Sequence, residues 1–304
     1  MIGAVAAAMM NILLALLVAP LLEGIIRRIT ARIQSRKGPP LTQPYLDLLK
    51  LLGKEDLETG VSPGMQRFAA LLALGAVLAV ATMIPMGLRP PMDGAGDVVL
   101  LIYLLALCGI STLLAGLAAG TTYSLLGMSR EMMAMIALEP LLAVALVLGA
   151  VQTGSLRLEA VLAGSVYAGT GPPVAGLVML GVMVLAFQAF VGRVPYDMAE
   201  AETEIMEGAL VEYSGPKLAL FKYARMVKLF VYSALFCALF APWGSAWMFP
   251  VGVLALLAKT LLLVLFVTVV AATHARYRID QAIRYYAALL AVAVAALIVA
   301  VVTV

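Results

Sequence analysis

Residues 98–119 read VVLLIYLLALCGISTLLAGLAA, an unbroken apolar run that contains no charged side chain. The hydrocarbon core of a bilayer is about 30 Å thick, and an α-helix of about 20 apolar residues is long enough to cross it. An isolated β-strand would leave backbone groups unpaired in lipid, whereas a helix pairs them internally. The run therefore predicts a transmembrane helix.

Apolar runs of similar length recur along the whole chain. The predicted spans cover residues 2–26, 68–88, 98–119, 131–151, 174–191, 218–241, 248–273 and 283–304. The first run lacks a basic start and a cleavage site, so we expect a retained span and not a signal peptide. The predicted fold is an all-α polytopic membrane protein with about eight transmembrane helices, in one membrane domain over residues 1–304.

The composition supports this fold class. Of 304 residues, 64% are hydrophobic and 12% are charged, whereas a soluble domain is roughly 45–50% apolar and about a quarter charged. These values exclude a water-soluble enzyme, a disordered region and a nucleic-acid reader. Cys108, Cys237 and the single histidine, His274, are too few for an iron–sulfur or other metal centre. We therefore expect no metal and no redox cofactor in this chain.

The basic residues lie mainly in alternate loops. One side of the predicted membrane holds Arg27, Arg28, Arg32, Arg36, Lys37, Lys50, Lys54, Arg67, Arg130, Arg193, Lys217, Arg276, Arg278 and Arg284. The other side holds Arg89 and Arg157. Because cytoplasmic loops are rich in lysine and arginine, both termini are predicted on the outer face. Trp243 and Trp247 then fall at the outer interface.

The first cytoplasmic loop, residues 27–67, contains RKGPPLTQPYLDLLKLLGKE at 36–55. The Gly-Pro-Pro element opposes a helix, and Pro44 suits the first helical position. A polar stripe follows at i, i+4, i+7 and i+11, formed by Gln43, Asp47, Lys50 and Lys54.

Leucines cover the rest of this segment, which predicts a helix in the plane of the interface. Two interpretations stay open: a solvated linker, or a docking platform for a soluble partner. The candidate docking residues are Arg36, Lys37, Gln43, Asp47, Lys50 and Lys54.

The acidic loop, residues 193–217, reads RVPYDMAEAETEIMEGALVEYSGPK. It holds Asp197, Glu200, Glu202, Glu204, Glu207 and Glu212. The spacing i, i+3, i+7 and i+10 of Asp197, Glu200, Glu204 and Glu207 predicts one face of a single helix, with Met198, Ala201, Ile205 and Met206 opposite. If the loop is enclosed between protein layers, its carboxyl groups share protons and titrate together. If it is exposed, it is an ordinary solvated face.

Ionisable residues also occur within the predicted spans. Glu139, followed by Pro140, is near the middle of the fourth, while Lys228 and Lys259 lie in the sixth and seventh. Charges at this depth cost several kcal/mol on average and usually mark functional sites. Glu139 could pair with either lysine as a structural link, or the three could pass protons. Glu23 and Glu131 are expected to reach the interface.

The two cytoplasmic loops resemble those of a known family. Residues 36–55 look like the inner loop of the membrane subunit that joins the two arms of respiratory complex I, and of its counterparts in energy-converting nickel–iron hydrogenases. PYDMAEAETEIMEGALVEYSG, residues 195–215, resembles the acidic loop of that family. GMSREMMAMIALEPLL, residues 127–142, looks like the formate hydrogenlyase and Ech-type subunits. The longer double Gly-Pro element of complex I is absent.

The resemblance implies a membrane anchor in a prokaryotic cytoplasmic (inner) membrane. Its implied partners are a hydrogenase large (catalytic) subunit, an iron–sulfur small subunit and antiporter-like membrane subunits, with the nickel–iron centre and the clusters in the partners. Glu139 aligns with the family's intramembrane glutamate, and the six acids align with its acidic loop. We expect docking of the redox arm, and proton relay through these acids, Lys228 and Lys259.

Three other functions remain open at this point. The chain could be a quinone-chamber subunit of a complex I-like NADH:quinone oxidoreductase. It could be a stand-alone secondary transporter. It could also be a purely structural anchor.

Overall fold

The computed structural model describes residues 2–57, 61–87, 96–163, 165–167, 173–200, 202–244 and 250–303. The regular secondary structure of these ranges is helical, apart from one isolated β-bridge between Asp97 and Arg157, and it includes two short 3-10 helices, Ser165–Tyr167 and Gly208–Leu210. The helices are α1 (Ile2–Ile33), α2 (Gln43–Leu52), α3 (Pro63–Met83), α4 (Val98–Ala119), α5 (Thr122–Thr153), α6 (Leu158–Val161), α7 (Val174–Phe190), α8 (Glu202–Ile205), α9 (Gly215–Phe240), α10 (Val251–Thr273) and α11 (Ile279–Thr303). Arg89, Ala201, Trp247 and the side chain of Glu202 lie outside the described residues.

The prediction of an all-α polytopic membrane protein is confirmed. Seven helices, α1, α3, α4, α5, α9, α10 and α11, are long and apolar enough to cross a membrane, and α7 is an apolar helix of 17 residues. Several helices extend beyond the predicted spans, because hydropathy marks the part in lipid and not the end of the helix. α5 begins at Thr122, nine residues before the predicted start of its span.

Helix α9 lies at the centre of the bundle. Its most apolar window is 83% buried within the chain, against 28–44% for the other spans. It packs against α1, α2, α3 and α10. α9 is therefore enclosed by other helices over most of its length, and its Lys217 side chain is buried.

Two tyrosines fasten neighbouring helices to α1. Pro20 has no N–H, so the carbonyl of Leu16 loses its partner within the helix. The hydroxyl of Tyr223 on α9 donates to this carbonyl at 2.9 Å. The hydroxyl of Tyr45 on α2 donates to the next carbonyl, of Leu17. The proline thus frees the acceptor that holds α9 against α1, and the Leu17 carbonyl beside it holds α2.

The segment predicted as the first-loop helix forms α2, which has a proline in its first turn. Pro44 and Leu48 are buried, because α2 packs on α1 and α9. Its outer surface carries the exposed leucines Leu46, Leu49 and Leu52.

The acidic loop is not the single helix that its spacing predicts. Its described residues form the short α8 and, from Gly208 to Leu210, one turn of 3-10 helix before α9 begins at Gly215. Between the two short helices, Met206 takes a left-handed φ of 57°, and Gly208 takes one of 55°. The reversal is needed because the loop folds back on itself and onto α5. A Cβ at Gly208 would collide with the carbonyl oxygen of Ala199, and one at Gly127 would lie 2.5 Å from the amide nitrogen of Ala209.

The predicted opposite face of that helix is split as a result. Met198 and Ile205 are buried, whereas Met206 is 60% exposed. The prediction of one acidic and one apolar face is therefore wrong.

Candidate functional site

A buried ion-pair cluster joins α1 to the start of the acidic loop. Glu23 in the C-terminal part of α1 is only 6% exposed. It accepts from Arg27 at 3.4 Å and from Arg193 of the acidic loop. Glu23 was expected to reach the interface, and that expectation is wrong. A carboxylate at this depth requires paired cations, because desolvation alone would cost several kcal/mol.

The cluster extends to α2. Arg27 also donates to Asp47 at 2.7 Å, and Gln43 donates to the same carboxylate at 2.9 Å. Burial raises the pKa of Asp47, but the hydrogen bonds from Arg27 and Gln43 outweigh it and hold the pKa below its ordinary value. Two of the predicted docking residues, Gln43 and Asp47, thus bind within the chain.

The other predicted docking residues lie on the surface. Arg36 donates to Gln34 at 2.6 Å, and Lys37, Lys50 and Lys54 are exposed. These four cations are placed where a partner could reach them.

Four acids of the loop, Asp197, Glu200, Glu204 and Glu207, each lie beside a cation. Asp197 lies between Arg225 at 3.6 Å and Arg276 at 3.5 Å. Arg225 also binds Glu200.

Further along the loop, Glu204 accepts from Arg130 at 2.6 Å, and Glu207 lies 3.6 Å from Lys222. The hydrogen bond and the charge of Arg130 lower the pKa of the exposed Glu204. Glu212 is half-buried just before α9. Asp197, Glu200, Glu204 and Glu207 therefore do not form a row of carboxyl groups that repel one another.

A second group of contacts joins the end of the first loop to the end of the acidic loop. The buried Lys217 lies 3.1 Å from Asp56, and the backbone N–H of Leu57 donates to the hydroxyl of Ser214 at 3.3 Å. Gly215 has a φ of 56°, and a Cβ there would lie 2.6 Å from the carbonyl oxygen of Glu55. The first loop and the acidic loop are thus fastened together at both ends.

Two cavities lie beneath these loops. The rim cavity has a volume of about 390 Å³, and its lining includes five carboxylates and five cations. These are Glu23, Glu131, Asp197, Glu200 and Glu207, with Arg27, Arg193, Lys222, Arg225 and Lys228. The inner cavity, of about 80 Å³, is lined by Glu139 together with Tyr232 and Tyr286. Both cavities share Glu131, Gly192, Tyr196 and Lys228.

At membrane depth, Glu139 and Lys228 are neighbours in the inner cavity but do not touch. The ammonium of Lys228 lies 5.4 Å from the ring centre of Tyr232. Among the ion pairs of the described residues, none joins Glu139 to a cation within 4 Å. The structural link between Glu139 and Lys228 is therefore electrostatic and not a direct salt bridge.

Lys259 lies apart from both cavities. Its ammonium donates to the carbonyls of Ala241 and Trp243 at 2.6 Å each, and lies 5.5 Å from the ring centre of Trp243. It therefore caps the C-terminal end of α9. The alternative pairing of Lys259 with Glu139 is not formed.

Four tyrosines pack beside the cavities. The ring centre of Tyr196 lies 5.5 Å from those of Tyr277, Tyr285 and Tyr286. Burial and the neighbouring hydroxyl of Tyr285 raise the pKa of Tyr196. Tyr196 was not among the predicted site residues, although it stands inside the acidic motif, and neither were the arginines that bind the acids.

Comparisons with known proteins agree with this architecture. A family model described as NADH dehydrogenase matches residues 5–302. Hydrogenase-4 component C of Escherichia coli (strain K12) is 36% identical over 260 residues, which cover 84% of this chain and 82% of that protein. Formate hydrogenlyase subunit 4 of the same strain is 35% identical over 271 residues, covering 86% of this chain and 88% of that protein.

An NADH-quinone oxidoreductase subunit of Ralstonia pickettii (strain 12J) is 34% identical over 268 residues, covering 82% of this chain and 76% of that protein. Among solved structures, a chain of the membrane-bound sulfane sulfur reductase, an archaeal respiratory membrane complex, matches with a TM-score of 0.84 and 26% identity. The match covers 98% of this chain and 99% of that chain. The protein is therefore a multi-pass membrane member of the NADH dehydrogenase family, whose relatives are subunits of membrane-bound oxidoreductase complexes.

Proposed function

We propose that this chain is the membrane anchor of an energy-converting nickel–iron hydrogenase in a prokaryotic cytoplasmic membrane. It docks the soluble redox arm and relays protons, so that electron transfer drives ion movement. The similarity to hydrogenase-4 component C and formate hydrogenlyase subunit 4 over more than four fifths of the chain supports the hydrogenase assignment. The large catalytic subunit and the iron–sulfur small subunit would hold the nickel–iron centre and the clusters, beside antiporter-like membrane subunits.

The proposed orientation places the acidic loop in the cytoplasm and both termini outside. Arg27 of α1, Arg193 of the acidic loop and Arg276 of the segment between α10 and α11 meet at one end of the bundle, where they bind Glu23 and Asp197. Lys259 and Trp243 meet at the C-terminal end of α9. The positive-inside rule assigns the arginine-rich end to the cytoplasm.

In this proposal the acids of the loop collect protons at the rim. The proposed proton-collecting acids include Glu202, Glu204, Glu207 and Glu212, and Asp197 and Glu200 bind Arg225 on α9. A change of charge in the docked arm alters the balance between these acids and their arginines. Protons then pass inward to Lys228 and Glu139, which line the inner cavity.

Lys259 was predicted as a further member of the relay. Because two carbonyls hold its ammonium away from both cavities, the proposed path rests on Glu139 and Lys228.

The residues that line the cavities indicate whether protons or a quinone occupy them. Sites for small organic ligands are mostly apolar with a few polar groups, whereas ten ionisable side chains line the rim cavity. Such a lining favours water and protons. The similarity to an NADH-quinone oxidoreductase subunit keeps a quinone-linked complex as the second candidate, and a quinone-site inhibitor that stops the purified complex would favour it.

Purification in mild detergent tests the assignment. A tagged chain should bring down a nickel- and iron-containing complex that turns over hydrogen. Flux of an ion or solute through the chain alone in liposomes, with no nickel or iron protein attached, would instead indicate a stand-alone transporter. An assembled complex whose activity survives neutralisation of every loop acid would indicate a purely structural anchor.

A further inference from the structure

The rim cavity and the inner cavity share one carboxylate, Glu131. It lies on α5 eight residues before Glu139, a rise of about 12 Å along the helix at 1.5 Å per residue. Arg225 on α9 is within electrostatic range of Glu131, and so is Glu139. Glu131 thus stands between the arginine-bound acids of the rim and the glutamate at membrane depth.

Glu131 also differs from the other carboxylates of the rim cavity in its partners. Glu23, Asp197 and Glu200 each bind at least one arginine, and Glu207 faces Lys222. No ion pair of the described residues includes Glu131. Arginine holds its proton at any physiological pH, so an acid bound to it gains little from protonation. Glu131 can take up a proton without breaking a salt bridge.

Of the four residues that line both cavities, Glu131 is the one best suited to carry a proton from the rim cavity to the inner cavity. Gly192 has no side-chain group, and the ring of Tyr196 is packed among three other tyrosines. Lys228 has its ammonium beside Tyr232, which lines the inner cavity only. A carboxylate is therefore needed on the rim side of Lys228.

We propose that Glu131 is the relay residue that transfers protons between the two cavities. A hydronium ion in the rim cavity gives a proton to the Glu131 carboxylate, which becomes a neutral acid, and water is left. The Lys228 ammonium gives a proton to the Glu139 carboxylate, and the amine so formed takes the proton of the Glu131 acid. Glu131 is then again a carboxylate, Lys228 again an ammonium, and Glu139 a neutral acid. This assignment rests on the proposed function of the chain.

The test uses the complete complex in inverted membrane vesicles, with a pH-sensitive dye to count protons moved per electron. Glu131→Gln should lower this ratio about tenfold or more, in line with the loss of a positioned proton carrier. Glu131→Asp should restore at least half of it, because the carboxyl group returns. Glu159→Gln, which neutralises an exposed acid on α6, should leave the ratio unchanged.

An infrared readout separates relay from structure. The redox-induced difference spectrum of the wild-type complex should contain a carboxylic-acid band that disappears in Glu131→Gln and shifts in Glu131→Asp. If the complex with Glu131→Gln fails to assemble, the test rests on Glu131→Asp alone. A carboxylic-acid band that does not shift in Glu131→Asp would then overturn the role of Glu131.

Comparison with Glu139→Gln distinguishes the role of Glu131 from the proposed proton relay of the chain as a whole. Wild-type proton movement in Glu131→Gln, together with loss in Glu139→Gln, would overturn the role of Glu131 and leave the proposed function standing. Wild-type movement in both variants would overturn both.

Discussion

Arg193 and Glu23 form an ion pair that fastens the start of the acidic loop to the C-terminal part of α1. Glu23 also binds Arg27, which in turn holds Asp47 on α2. One buried carboxylate therefore fixes the position of both the first loop and the acidic loop. A partner that docks on α2 would act on the same framework that holds the acids.

Glu23→Gln should destabilise this framework. Removing one partner of a buried ion pair leaves the other charge uncompensated and costs about 3 kcal/mol. We expect a lower midpoint of thermal unfolding for the detergent-purified complex, and faster hydrogen exchange at the inner end of α1. Glu159→Gln serves as the control, since that acid is exposed. Equal midpoints for the two variants would contradict the role of Glu23.

Arg130→Gln should change the titration of Glu204. The hydrogen bond and charge of Arg130 lower the pKa of Glu204, so the pairing stabilises the folded loop above the unfolded pKa. That contribution is lost as the pH falls through the folded value. In the variant the pKa should rise toward its ordinary value.

The change of the Glu204 pKa in Arg130→Gln is measured by infrared titration of the carboxylate band, in complex whose glutamates are isotope-labelled. Arg157→Gln, which changes an exposed arginine beyond the opposite end of α5, should leave the titration as in the wild type. An unchanged titration in Arg130→Gln would show that the pair does not form.

Gly208→Ala tests the fold-back of the acidic loop. The control is Gly154→Ala, because Gly154 has a similar φ of 62° but no atom within 4 Å of the place that a Cβ would take. Each change costs about 1–2 kcal/mol for a left-handed alanine, but only Gly208→Ala adds a collision with Ala199.

We therefore expect the amount of assembled complex to fall clearly further in Gly208→Ala than in Gly154→Ala, measured by quantitative blotting of membranes. Equal losses in the two variants would mean that the loop does not pass this close to itself.

The sequence predicts the spans and α2 well, because hydropathy and the position of Pro44 act locally. It does not predict the acidic loop, since the partners of the acids are distant in sequence. Arg130 is 74 residues from Glu204, and Arg276 is 79 residues from Asp197. The spacing of the acids suits a helix, but long-range ion pairs and the fold-back at Gly208 decide the conformation.

Glu23 and Glu131 show a second limit of sequence reasoning. Both lie near the ends of hydropathy-defined spans, which suggested contact with water at the interface. α1 continues to Ile33 and α5 begins at Thr122, so both residues stand well inside their helices. The burial of Glu23 and the position of Glu131 in the lining of both cavities depend on how distant helices pack around α9, which hydropathy does not encode.

The proposed relay requires protons to pass through Glu139 when electrons move in the docked arm. Proton movement per electron, measured for the complete complex carrying Glu139→Gln in inverted membrane vesicles with Glu159→Gln alongside, tests this passage. We predict a loss of about tenfold or more in Glu139→Gln, with normal amounts of assembled complex and an unchanged control. A wild-type ratio in Glu139→Gln would contradict the relay.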